Sequence, residues 1–236
     1  MNAKTLLREV EKLEAERSAA RAEVASDRVA FARLVGIEPD DWQRRLLRSD
    51  APQILINCAR QSGKSTMAGI IALHQALWRP SSLVLILAPA ERQAKELFSK
   101  VAAFYRALGY PIPADSYRKL GMELKNASRI EALPGTEKTV RGFSAVDLLI
   151  VDEASRVSDE LYHAVRPMLA VSGGRLLMLT TPWGKRGEFY EAWENGGNDW
   201  ERYEVPASKC PRISAEFLAS ERRAMPERVY RQEFEC

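Results

Sequence analysis

The chain has 236 residues, 46% hydrophobic and 28% charged, with 35 Lys or Arg against 32 Asp or Glu and a formal net charge of +3. This composition is that of a globular protein and excludes disorder as a description of the whole. The longest apolar stretch, Leu83 to Ala90, is too short to span a bilayer, and the Arg- and Glu-rich first thirty residues do not read as a signal peptide.

Three cysteines far apart in sequence (Cys58, Cys210 and Cys236) and two histidines argue against a disulfide scaffold or a zinc site and fit a reducing cytosol. The charge is unevenly spread. Residues 51–150 carry thirteen basic and seven acidic side chains, whereas residues 151–236 carry twelve basic and fifteen acidic. A basic central block suits a phosphate-bearing partner, and it is also compatible with ordinary surface charge.

Residues 1–30 place Leu6, Val10 and Leu13 at helical spacing among Glu and Arg, which predicts one or two amphipathic helices. Pro39, Asp40 and Asp41 open another helix. From Gln53 the texture becomes alternating. Gln53–Asn57, Leu83–Ala88, Val146–Val151 and Arg175–Thr180 read as buried strands, separated by helical patterns at Lys64–Leu77, Glu91–Leu108 and Asp159–Ala170. Such alternation predicts a parallel sheet covered by helices on both faces. Met122–Lys125 and Arg129–Leu133 read as a short hairpin. A strand is expected near Trp200–Val205, then a helix capped by Ser214 and another starting at Pro226.

The strongest chemical signal is Cys58–Ala59–Arg60–Gln61–Ser62–Gly63–Lys64–Ser65, lying between a buried strand and a helix. It resembles a Walker A loop with Cys58 in place of the first glycine. Backbone N–H groups and the helix N-terminus would wrap the phosphates. Gly63 allows close approach, Lys64 reaches the β- and γ-oxygens, and Ser65 ligates Mg²⁺. The expected nucleotide-binding set is Arg60, Gln61, Ser62, Gly63, Lys64, Ser65 and Thr66, together with Gln43 and Asp152.

Leu148–Leu149–Ile150–Val151–Asp152–Glu153 looks like Walker B, an apolar strand delivering two carboxylates at its C-terminal end. Asp152 would hold Mg²⁺, directly or through water, and Glu153 would act as general base. Thr180 and Thr181, in Leu179–Thr180–Thr181–Pro182–Trp183–Gly184, end the next strand, where hydroxyls could sense the γ-phosphate; a polar strand end before a Pro turn is the plainer account.

Together these motifs resemble the large terminase subunits of tailed bacteriophages, the ATPases that drive DNA into procapsids. The resemblance rests also on Arg60 within the phosphate loop, on Trp42–Gln43 (similar to the family's adenine-recognising pair), on Glu137–Gly142, and on the closing Tyr230–Cys236. It runs from about residue 31 to 236 and implies an α/β P-loop NTPase of the RecA-like, ASCE type. That fold has a mainly parallel sheet flanked by helices, with a small C-terminal lid. The implied divisions are an N-terminal helical segment (1–30), the ATPase core (31–185) and the lid (186–236). The family's metal-dependent nuclease domain would begin where this chain ends, so no nuclease activity is expected of it.

The implied cofactors are ATP and Mg²⁺. The implied partners are double-stranded DNA, the portal protein and procapsid, the small terminase subunit, and copies of this chain in a ring, expected to be pentameric. The implied location is the host cytoplasm, transiently on the procapsid. By resemblance Arg141 would reach a neighbour's ATP as an arginine finger, with Arg60 as the alternative in cis; the choice stays open. Gln43 also has two readings, since Asp40-x-x-Gln43 is a capping-box pattern and one amide cannot easily serve both roles.

Lys100, Arg106, Lys125 and Arg129, with Arg118 and Lys119 beside them in sequence order, are the expected DNA contacts. His74 and His163 read as structural. Two other function classes remain. A helicase-like nucleic-acid-dependent ATPase is suggested by Asp152–Glu153–Ala154–Ser155, although too few residues follow Glu153 for a second RecA-like domain. A nucleotide-gated DNA-binding switch is disfavoured by the intact Glu153.

Overall fold

The structure is a computed structural model that describes Lys12, residues 22–135, Val140 and residues 142–236. Leu6, Val10 and Leu13, together with Glu137, Lys138, Thr139 and Arg141, lie outside the described residues. The elements run α1 (Arg28–Leu34), α2 (Asp41–Arg48), β1 (Gln53–Cys58), α3 (Lys64–Trp78), β2 (Leu83–Ala88), α4 (Glu91–Ala107), β3 (Ala114–Arg118), β4 (Gly121–Leu124) and β5 (Arg129–Pro134). They continue with β6 (Leu148–Asp152), α5 (Asp159–Val165), β7 (Arg175–Thr180), α6 (Gly187–Asn195), β8 (Glu201–Val205), α7 (Ala215–Ala224) and α8 (Glu227–Tyr230).

One eight-stranded sheet has the order β3-β4-β5-β2-β6-β7-β1-β8. From β5 to β8 every neighbouring pair is parallel. Only β4 runs against the others, pairing antiparallel with β5 and with the edge strand β3. The sequence period of two divides the strands between two cores. Ile54, Ile56, Val84, Ile86, Leu148, Ile150, Leu177 and Leu179 face α1 to α4. Leu55, Leu85, Leu87, Leu149, Val151, Leu176 and Met178 face α5 and α6 with Trp200. Both faces are therefore apolar, which is why these strands read as continuous hydrophobic runs. Among the described residues no helix is long and apolar enough to cross a membrane.

The structure differs from the sequence reading in four places. The helix expected over Asp159–Ala170 stops at Val165 and tightens into a 3₁₀ turn at Arg166–Leu169, because Pro167 has no N–H to continue it. The strand expected from Val146 begins at Leu148; the Asp147 carboxylate instead accepts the Leu83 N–H at 2.8 Å. Strand β3 was not expected, since its largely exposed residues show no apolar alternation. Finally, the segment 186–236 is not a separate lid throughout. Its β8 joins the central sheet beside β1, and Phe189 and Ala192 of α6 are buried in the second core. Ser214 caps α7 as expected, accepting the Phe217 N–H.

Candidate active site

Three parallel strands, β1, β6 and β7, end side by side and deliver the loops that form the site. Open α/β sheets place ligands at this end because the connecting loops and helix N-termini converge there. The chain leaves β1 at Cys58 and turns through Gln61 (φ 61°) and Gly63 (φ 91°) into α3. At Gly63 only a residue lacking Cβ fits without strain, for a Cβ would also lie 2.7 Å from Gln43 Nε2. Cys58 is buried at the base of the loop, and burial pushes its thiol up to about 12, so it is no nucleophile.

Lys64, 8% exposed, donates from Nζ to Thr181 Oγ1 at 2.9 Å and stands 3.8 Å from Glu153 Oε1. Ser65 Oγ lies 3.5 Å from Asp152 Oδ2. Asp152 is buried, and desolvation together with the neighbouring Glu153 charge pushes its carboxyl up to about 6, against the pull of Lys64. A buried carboxylate with so little compensation is a site that a cation would complete. Ser65 and Asp152 fit Mg²⁺, which takes few protein ligands and completes its shell with phosphate oxygens and water. Ser62 Oγ is fully buried in the phosphate loop, with no nitrogen or oxygen partner and the Cys58 thiol beside it. Among the described residues no group of three or more His, Cys, Asp or Glu side chains could hold a metal alone.

Glu153 adopts a left-handed conformation (φ 51°, ψ 42°), which costs a non-glycine residue roughly 1–2 kcal/mol. Strain of this kind concentrates at functional turns. The turn aims the Glu153 carboxylate back over the loop toward Lys64. Thr180 and Thr181 are both buried, and Ser155 joins them to the Walker B turn. Ser155 Oγ is 2.6 Å from Thr180 Oγ1 and donates to Thr181 O at 3.1 Å. Arg156 follows, 3.8 Å from Glu153 and stacked over Trp183.

The flank of the loop nearer β1 is held by the C-terminal segment. Ala59 N–H donates to Val205 O, and Arg60 N–H to Glu233 O. The exposed Arg60 guanidinium pairs with the Glu233 carboxylate. Arg212 donates to Ser62 O at 3.0 Å and to Asp40 Oδ1 at 2.8 Å. Gln43 is buried at 3% exposure; its Oε1 accepts the Asp40 N–H and its Nε2 donates to Ser62 O. The amide is thus engaged in a helix-capping contact and a loop contact, with one Nε2 hydrogen left over. Thr66 lies in the first turn of α3, its N–H bonded to Gly63 O.

The structure gathers Gln43, Arg60 to Ser65, Asp152, Glu153, Thr180 and Thr181 around one loop. It does not gather the basic residues expected to touch DNA. Lys100 is half-buried midway along α4, near enough to Asp152 to favour its charged form. Arg106 ends α4, and Lys125 and Arg129 flank the start of β5, at the end of the sheet away from the loop. Arg118 and Lys119 pair with Glu131 and Glu91. His74 is buried and bonded to Val24 O, while His163 pairs with Glu188. Arg212, Glu233 and Arg156 were given no role from sequence. Arg212 and Glu233 reach the loop from more than 140 residues away, and no local pattern signals such a contact.

Comparison with known proteins agrees with this geometry. The family model "Terminase large subunit, T4likevirus-type, N-terminal" matches residues 55–227. A terminase large subunit of Thermus virus P23-45 is 30% identical over 189 residues, covering 70% of this chain; the chain spans only 39% of that relative's length. Among solved structures, the large terminase ATPase domain of Thermus phage P74-26 superposes with a TM-score of 0.77 at 26% identity, covering 87% of this chain and 96% of that one. A large terminase from a thermophilic bacteriophage, solved in complex with ADP, shares the fold at a TM-score of 0.65 and 10% identity; the match covers 87% of this chain and 52% of that one.

Proposed function

The chain belongs to the T4likevirus-type large-terminase-subunit N-terminal family, and on that premise we propose that it is a Mg²⁺-dependent ATPase powering translocation of double-stranded DNA into a viral procapsid. The observation that carries the reading is the convergence of Lys64, Ser65, Asp152, Glu153 and Thr181, from three separate strand ends, on one phosphate loop. The likeness to a solved terminase ATPase domain at 26% identity supports it.

In this reading the loop N–H groups and the α3 N-terminus bind the phosphates of ATP, and Lys64 neutralises the β- and γ-oxygens. Ser65 and Asp152 hold Mg²⁺, which supplies charge neutralisation and a fixed geometry for the phosphates. Glu153 accepts a proton from the water whose oxygen attacks the γ-phosphorus. The bond to the bridging oxygen breaks and ADP leaves with that electron pair. An arginine, Arg141 from a neighbouring copy or Arg60 in cis, stabilises the developing charge. Thr181, bonded to Lys64, and Thr180, bonded to Ser155, register loss of the γ-phosphate at the end of β7.

Gln43 is the candidate for adenine, provided its cap contact is exchanged. Lys100, Arg106, Lys125 and Arg129 remain candidates for DNA, though their distribution fits more than one contact surface. The partners follow from the same reading: the portal and procapsid, the small terminase subunit and copies of this chain in a pentameric ring, in the host cytoplasm. Residues 31–205, with α6 and β8 included, form the ATPase core, and residues 206–236 act as the lid.

Steady-state ATP hydrolysis by the chain with Mg²⁺, compared with Glu153→Gln, tests the proposal. The variant should keep nucleotide affinity and lose about 10²–10⁴-fold in kcat. Equal rates for the two proteins, with DNA and portal assemblies present, would falsify it.

A further inference from the structure

Arg156 is absent from the mechanism above, yet it lies between two of its parts. Its Nε stands 3.8 Å from Glu153 Oε2, while Lys64 Nζ stands 3.8 Å from Oε1. The Glu153 carboxylate is therefore flanked by two cations, one on each oxygen. On its other side the Arg156 guanidinium lies over the Trp183 ring, 3.8 Å from the centroid. Trp183 is two residues beyond Thr181, which takes the Lys64 hydrogen bond.

The backbone makes the arrangement compact. Glu153 turns into the 3₁₀ segment Ala154–Arg156, and the Arg156 N–H donates back to Glu153 O at 2.8 Å. Arg156 and Glu153 side chains keep one third and about one fifth of their surface. A free arginine at such a rim would populate many rotamers. An indole face under the guanidinium holds its plane and leaves an edge for the carboxylate.

We propose that Arg156 is a positioning residue. Clamped by Trp183, it holds the Glu153 carboxylate in the orientation from which it accepts the proton of the attacking water, and it ties that orientation to the loop carrying Thr180 and Thr181. The proposal rests on the ATPase reading, but it names a part of the machinery that reading does not contain.

The test compares the unmodified chain with Arg156→Ala, Arg156→Lys and Trp183→Ala. The measurements are steady-state ATP hydrolysis, titration with a fluorescent ATP analogue, and indole emission without nucleotide. Both Arg156 variants should lose about tenfold or more in kcat while KM and analogue affinity change by less than about threefold, the signature of an interaction made in the transition state. Lysine should not rescue, since it cannot stack and reach together. Trp183→Ala should lose kcat in the same sense and by less. Without nucleotide, Arg156→Ala should change indole emission, and the change should vanish in a Trp183→Phe background.

An inert unmodified chain would defeat the ATPase reading itself. If that chain is active, three results overturn this inference alone: Arg156→Ala within about threefold of it in kcat, full rescue by lysine, or emission that Arg156→Ala leaves unchanged.

Discussion

Where the strands begin, polar groups are satisfied at ordinary hydrogen-bond distances. Arg28 donates to Leu47 O, Ser49 O and Asp50 at 3.0, 3.1 and 2.8 Å. Arg175 donates to Ala51 O and Ser49 O at 3.1 and 2.9 Å, and Asp147 takes the Leu83 N–H at 2.8 Å. Where the strands end, the contacts of the two carboxylates that close β6 are longer: 3.5 Å for Ser65 with Asp152, and 3.8 Å for Glu153 with both Lys64 and Arg156, although Arg212 and Asp40 beside the loop pair at 2.8 Å. Asn57 Oδ1 and Asp40 Oδ2 are buried there without partners. A folded chain normally pairs its buried polar groups, so unpaired ones concentrated at one end mark where binding can supply what folding did not.

The contrast is sharpest in its predicted consequences. Arg175→Met removes two charge-assisted bonds from a half-buried guanidinium that sits near other arginines and whose pKa burial lowers to about 10. It should cost about 3 kcal/mol, or roughly 6–12 °C in Tm, with kcat per folded molecule unchanged. Scanning calorimetry alongside ATP turnover checks this, and a loss of kcat without a loss of Tm would break the division between the two ends.

Titration separates the ends next. Burial holds His74 near 4, so below 6.5 the unfolded chain binds more protons and stability falls as pH drops from about 6.5 to 4. Asp152 has the opposite sign. Its folded value near 6 lies above the ordinary 3.8, so the folded chain binds more protons, and stability falls as pH rises through about 4 to 6. The two slopes oppose each other in the unmodified chain. His74→Gln should therefore show stability declining with rising pH over this window, and Asp152→Asn should show it increasing. Each effect is on the order of 2–3 kcal/mol. Asp152→Asn should raise Tm at pH 7 and leave it unchanged near pH 4. Parallel curves for the two variants would contradict the assignment.

The smallest effect is expected at the C-terminal strap. Glu233→Gln weakens a pair whose arginine is mostly exposed, leaving the Arg60 N–H bond to the Glu233 carbonyl in place. It should change stability by less than about 1 kcal/mol. A fall in Tm beyond about 5 °C would class this contact with the structural ones at the other end of the sheet.

Much of this is legible in the sequence. The apolar runs in β1, β2, β6 and β7 declared a sheet buried on both faces, and Gly63–Lys64–Ser65 after a strand declared a tight turn into a helix. Ser214 declared its helix start through its own side chain. In each case the signal lies within a few residues of the feature it specifies. The illegible parts share a different trait. Strand β3 is exposed and held by its partner rather than by its own pattern. The place of β8 beside β1 depends on pairing across nearly 150 residues. Arg212 and Glu233 look like ordinary surface charges until the chain folds their segment over the loop.

The sequence by itself determined the periodicity, the tight turn at Gly63 into α3 and the two carboxylates at the end of β6, because local sterics and side-chain chemistry fix those within one turn or strand. Only the tertiary structure decided that Gln43 is spent on a cap and on the loop, that Arg156 is held by Trp183 against Glu153, and that the last strand belongs to the core sheet. Those outcomes depend on which distant groups meet when both faces of the sheet are buried, and burial is a property of the whole chain.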